Sequence, residues 1–209
     1  MKNLALVMHK VYRDIDSKKN FEDIDYTTFK YILELIKKNQ TDKNKKFEHT
    51  LTFDDGNISD FQIIYKELLK HSIKGMFFIV PNLVGKKNFL NWEMIIEMSR
   101  NGMIIGSHSF SHQDLTKIDI IEAKKEIQTS KYIIEQKIGI EVSNFSFPYG
   151  RENSELIRTA LQSEYKYVYN SRHGLFNNLT TVRPRNSINS TFNSKKIKHT
   201  LFPDKGQKY

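Results

Sequence analysis

The chain predicts an α/β fold built on a parallel sheet or a barrel. Short apolar runs alternate with amphipathic segments along its length, and no repeat, low-complexity segment or long linker interrupts them. The runs at 3–8, 49–53, 75–80, 103–107, 142–147 and 165–169 are expected strands, with a weaker one near 180–183. The segments between them carry apolar residues at helical spacing. Residues 26–38 put Phe29, Ile32, Leu33 and Ile36 on one face, and residues 60–71 do the same with Phe61, Ile64, Tyr65 and Leu68 behind a capping Ser59. A helix over 92–100 follows Asn91 and stops at Asn101-Gly102. Further helices are expected over 118–138, ending at Gly139, and over 153–162. The tail after about 191 is polar and is expected to fray.

The 209 residues suit a single domain over 1–209. No apolar stretch approaches the roughly 20 residues of a membrane span. The apolar run near Met1 is too short for a signal-peptide core, so a cytoplasmic protein is expected, with the inner face of the membrane as a second location. The absence of cysteine excludes disulfides and thiolate metal sites. Any metal must therefore rest on histidine and carboxylate. The net charge of +9 favours anionic partners such as diphosphate-bearing sugars or a peripheral membrane contact. The densest cluster, Lys43 to Lys46, lacks the interleaved aromatics of a nucleic-acid track, and no nucleic acid is expected.

In parallel sheets and barrels, reactive groups collect at the carboxyl ends of the strands. Asp54 and Asp55 follow strand 49–53, His108 follows 103–107, Pro148-Tyr149-Gly150 follows 142–147, and His9 follows 3–8. These groups share one predicted rim. Adjacent aspartates point to opposite sides of extended backbone, so both reach one site only if the chain turns at Gly56. That suggests a division of labour, with one carboxylate on a metal and the other taking a proton from water. His108 and His112, four apart, reach one ion if they share a single helical turn. Two imidazoles and a carboxylate suit a divalent ion with an open position, zinc best, with cobalt, nickel or iron also suited. Pro148-Tyr149-Gly150 is a sharp turn able to aim N–H groups at an oxyanion.

Three motifs in order, Thr52-Phe53-Asp54-Asp55-Gly56, His108-Ser109-Phe110-Ser111-His112 and Phe147-Pro148-Tyr149-Gly150, resemble those of the polysaccharide deacetylase (NodB-homology) family, over roughly residues 1–185. The form of the third motif is most similar to the surface-glycan and exopolysaccharide branch. The resemblance implies a distorted (β/α) barrel of about seven parallel strands. It implies Asp54 as general base, Asp55, His108 and His112 as metal ligands, and the Tyr149 N–H as an oxyanion donor, with Pro148 and Gly150 shaping the substrate side.

The chain departs from the family at two places. Ser146 stands where an arginine usually orients the catalytic aspartate, and no clear general-acid histidine motif follows. His9 and His173 are the candidates for that acid, His199 is a weaker one, and Arg185 is expected to reach the site and contact substrate. The implied activity is hydrolysis of N-acetyl groups on an amino sugar of a surface glycan, a lipid-linked glycan or a nucleotide sugar. A deformylase or other deacylase on a lipid-linked sugar, and an inactive metal- or glycan-binding homologue, are the alternatives.

Overall fold

The strands expected from the sequence pair in register in a computed structural model, which describes residues 2–13 and 20–203. In chain order they are β1 (Lys2–Met8), β2 (Val11–Tyr12), β3 (Ile24–Asp25), β4 (Phe47–Phe53), β5 (Gly75–Ile79), β6 (Ile104–Ser107), β7 (Asn144–Ser146), β8 (Tyr167–Tyr169), β9 (Val182–Arg183) and β10 (Arg185–Ser187). β2 and β3 form a separate small pair. The other eight make one parallel sheet in the order β10-β1-β4-β5-β6-β7-β8-β9.

The two margins of that sheet are neighbours in sequence. β9 pairs with β8 and β10 with β1, and only Pro184 lies between them. The sheet is thus rolled into a nearly closed barrel whose last strand is broken at a residue without an N–H to donate. Counting β9 and β10 as that one broken strand gives the expected seven. The weak strand near 180–183 is only its first half. Arg185-Asn186-Ser187 carries no apolar signal because its inward residues meet a polar interior.

The helices are α1 (Tyr26–Thr41), α2 (Lys66–His71), α3 (Trp92–Arg100), α4 (Ile120–Ile138), α5 (Ser154–Gln162) and α6 (Ser194–Leu201). Asn91 caps α3 through Met94 N–H as expected. Ser59 does not cap the helix after β4: it has helical backbone angles, and its buried hydroxyl has no partner. That helix instead begins as a π-helical turn over Asp60–Tyr65 and tightens into α2. The tail does not fray directly after 191, because α6 is capped by Asn193 and buries Ile197 and Leu201. Residues 204–209 lie outside the described residues. Among the described residues no helix is long and apolar enough to cross a membrane.

Most of the core lies between sheet and helices. Phe53 and Phe77 stack there with centroids 4.9 Å apart, and each fully buried phenylalanine contributes on the order of 1.5–3 kcal/mol. Their immediate neighbours along each strand face the other way, into the barrel. Ala5, Met76, Phe78, Tyr169 and Phe176 form a small apolar cluster there. Gly106 is needed beside it, since a Cβ would come within 2.6 Å of the Phe78 ring. Above this floor the inward positions turn polar at Thr52 and Asp54, His108, Ser146 and Arg185.

Candidate active site

Asp54 is the buried centre of the rim. Both its oxygens accept from the Arg185 guanidinium, at 2.7 and 2.8 Å. Arg185 also donates to Ser146 Oγ at 2.8 Å, to the Asn170 carbonyl at 3.2 Å and to Thr52 Oγ1 at 3.3 Å. It is 1% exposed. This corrects the expectation that Arg185 contacts substrate: its reach ends on Asp54. It also accounts for Ser146, whose short side chain leaves room for a guanidinium arriving from β10 and accepts one of its hydrogens. Burial pushes the Asp54 carboxyl up, but the Arg185 guanidinium, by its charge and its hydrogen bonds, holds it well below the ordinary carboxylate range.

Asp55, His108 and His112 converge beside it. Their ligand atoms lie within 4.8 Å of one another. Asp55 Oδ1 is 3.3 Å from His112 Nε2 and 3.7 Å from His108 Nε2. The backbone makes this possible in a way the spacing alone did not reveal. Asp55 itself, next to Gly56, adopts positive φ (75° and 74°), so the turn begins at a residue that adopts such angles less readily than glycine. His108 and His112 do not share a helical turn. Ser109 (φ 60°) and His112 (φ 64°) are left-handed, and the loop folds back to aim both rings at one point.

Glu126 of α4 fastens that loop, a role the sequence reading missed. It accepts from Ser109 Oγ at 3.1 Å and from Ser111 N and Oγ at 2.8 Å each. A signal existed, for Glu126 lies on the buried stripe of α4 with Ala123, Ile127, Ser130 and Ile134.

The residues fit a divalent ion. His108 Nδ1 is 2.8 Å from the Ser146 carbonyl, a contact only an N–H can make, so Nε2 keeps its lone pair. Burial lowers the His108 pKa, against the pull of Asp54 and Asp55, which favours the neutral imidazole that ligates. Asp55 Oδ1 is buried with no well-formed hydrogen bond, since its imidazole contacts are long for one. Ligands about 2.1 Å from a tetrahedral ion lie about 3.4 Å apart, close to the 3.3 and 3.7 Å from Asp55 Oδ1 to the two imidazoles. For His112, burial is outweighed by the Asp55 carboxylate, and its pKa is raised.

The remaining expected residues divide. Tyr149 is 59% exposed, with its ring 4.8 Å from that of His112. The N–H groups of Gly150 and Arg151 donate to Phe147 and Pro148, whereas that of Tyr149 (φ 58°) has no acceptor among the described residues. Pro148 is buried, and Gly150 packs so closely on the loop after β8 that a Cβ would lie 2.3 Å from Ser171 Oγ. Both are held in place by this packing, which fixes the turn that carries Tyr149. His9 is half-buried, with Nε2 3.8 Å from a Glu22 carboxylate oxygen. His173 is exposed in the loop after β8, and no hydrogen bond or ion pair ties it to the cluster. His199, on α6, lines a groove away from the rim.

Asp60 was also missed. It is fully buried, and among the described residues neither carboxylate oxygen has a hydrogen-bond partner. Burial and the charges of Asp55 and Asp54 raise its pKa well above the ordinary value. Such a group subtracts stability as pH rises above about 4, the unfolded value. Asp60→Asn is therefore expected to raise the melting temperature at pH 8 and to leave it unchanged at pH 4. Thermal melts with chelator present, at both pH values, check this.

A parallel barrel with an Asp–His–His cluster and a buried Arg–Asp pair at the carboxyl ends of its strands is the scaffold of a barrel hydrolase. The polysaccharide deacetylase family model matches residues 41–168, and the chain belongs to that family. It is 34% identical over 144 residues to the peptidoglycan-N-acetylmuramic acid deacetylase PdaC of Bacillus subtilis, covering 68% of this chain and 30% of that one. It is 28% identical over 124 residues to a peptidoglycan-N-acetylglucosamine deacetylase of Bacillus cereus, covering 59% and 44%. The chain thus spans less than half the length of these relatives. Among solved structures, the fold matches the Streptococcus pyogenes deacetylase PplD with a TM-score of 0.83, at 21% identity over 97% of this chain and 99% of that one. A de-N-acetylase from Aggregatibacter actinomycetemcomitans matches with a TM-score of 0.81, at 17% identity over 96% and 100%.

Proposed function

We propose that the protein removes N-acetyl groups from an amino sugar of a cell-surface glycan, with a divalent ion, zinc by preference, held by Asp55, His108 and His112. The observation that carries this is the pairing of two carboxylates with opposite fates. Asp55 turns outward to the imidazoles with an unsatisfied oxygen, while Asp54 is held ionised by Arg185. The named activities of the peptidoglycan deacetylases support the choice of an acetylated amino sugar.

What a divalent ion supplies at such a site is polarisation of the acyl carbonyl and acidification of water. Asp54 accepts the proton of the attacking water as its oxygen bonds to the acetyl carbon. The Tyr149 N–H, which has no acceptor among the described residues, donates to the oxygen that gains charge. The C–N bond then breaks, and the proton carried by Asp54 passes to the amine nitrogen. Because Arg185 keeps Asp54 a weak base and hence a strong acid, return of the proton is favourable. The exposed Tyr149 ring offers a face to the sugar.

The test is acetate release from N-acetylglucosamine oligomers and from peptidoglycan fragments, on protein stripped with chelator and then reloaded. Zinc or cobalt is expected to restore release at least tenfold over the stripped protein. Reloaded protein that binds zinc but releases no acetate from either substrate refutes the proposal.

A further inference from the structure

Far from the rim, the foot of the barrel carries a groove of about 1330 Å³. Its walls are the last turn of α1, the loop 42–46 and the outer face of α6. β4 runs from Phe47 at the groove to Phe53 beside the site, so the two lie about 20 Å apart along the barrel at about 3.3 Å per residue. Lys38, Lys45, Lys46, Lys195, Lys196 and Lys198 line it, against the single carboxylate of Asp42. Only Lys45 has a carboxylate partner among the described residues, Glu48 at 3.4 Å. The floor is apolar and aromatic. Phe47 and Phe202 flank His49 with centroids 6.4 and 5.3 Å away, and Leu35 lies beside them. His49 Nε2 lies 2.9 Å from the Leu201 carbonyl, which fastens α6 to the barrel and makes this wall part of the fold.

We propose that this groove binds a chain of an anionic glycan, as a second site distinct from the catalytic rim. The inference rests on the deacetylase reading only for its biological sense; the recognition chemistry stands on the groove itself. Ammonium groups along both walls match repeated carboxylate, sulfate or phosphate groups, while half-buried phenyl rings match the C–H faces of sugar rings. The concavity suits a polymer strand and not a flat bilayer. Binding here would hold the enzyme on a polymer while the rim, at the opposite pole, works on acetylated residues.

The experiment compares dextran sulfate with neutral dextran by affinity electrophoresis of the full chain, with single-stranded DNA as a third ligand. It needs no turnover, so its outcome is independent of whether acetate is released. A triple variant on the groove, Lys195→Glu, Lys196→Glu and Lys198→Glu, is expected to weaken dextran sulfate binding at least tenfold. A charge-matched control on the exposed face of α4, Lys124→Glu, Lys125→Glu and Lys137→Glu, is expected to weaken it less than threefold. Equal losses in the two triples, or tighter binding to DNA than to dextran sulfate, overturn the proposal. Phe202→Ala tests the floor: it is expected to reduce binding without changing the salt dependence set by the lysines.

Discussion

Asp54→Asn is expected to slow acetate release about 10³-fold, within the 10²–10⁴ that a positioned base contributes, while zinc affinity changes only a few fold. Asp54 is the rim carboxylate that Arg185 holds ionised; its Oδ2 lies 3.5 Å from His108 Nε2, but the cluster able to hold an ion is Asp55, His108 and His112. The amide keeps the shape and one acceptor oxygen, so the geometry around Arg185 survives in part, but it cannot take a proton. Zinc content by atomic absorption, measured beside the rate on acetylated chito-oligomers, separates the two effects. A variant that retains more than a tenth of the wild-type rate would remove Asp54 from the role of base. The same substitution leaves Arg185 without its counter-charge, so some loss of stability is also expected.

Arg185→Met is expected to cost about 3–5 kcal/mol of folding stability at pH 7, because it strands a buried carboxylate. The sign with pH follows from the direction of the Asp54 shift. In the wild type its pKa is depressed, so the group adds stability above the unfolded value of about 3.9 and loses that contribution as pH falls below it. Without the guanidinium, burial dominates and raises the pKa, so the variant loses stability as pH rises. The difference between the two proteins should thus be largest at neutral pH and shrink toward pH 3 in urea melts. The same shift moves the acidic limb of the rate profile upward, since the base must now deprotonate against burial. Arg185→Lys restores a charge but not the two parallel bonds, and should recover only part of both effects. An acidic limb unchanged in Arg185→Met would show that Arg185 does not set the state of the base.

Arg185 also shows where reading the chain as text reaches its limit. The missing arginine at Ser146 looks like a loss, and Val182-Arg183-Pro184-Arg185 looks like a stretch leading to substrate. Folded, the two are one event. β7 and the broken last strand both line the barrel interior, and a long side chain from one fills the space left by a short one on the other. Nothing in local pattern links positions 39 residues apart, because that pairing depends on which strands close the barrel. Glu126 is similar: its place on the buried stripe of α4 was legible, but its partners Ser109 and Ser111 were not, since they belong to a loop whose path depends on two left-handed residues.

The alternation of apolar runs and amphipathic segments was enough to define the parallel α/β architecture and the rim on which Asp54, Asp55, His108 and Tyr149 gather, because period and strand direction are local properties of the chain. Tertiary structure alone decided which guanidinium holds Asp54, how tightly Gly150 packs on Ser171, that His173 stays apart from the cluster, and that six lysines from three segments share one groove. These are contacts between residues far apart in sequence, and they exist only once barrel closure brings their strands and loops together.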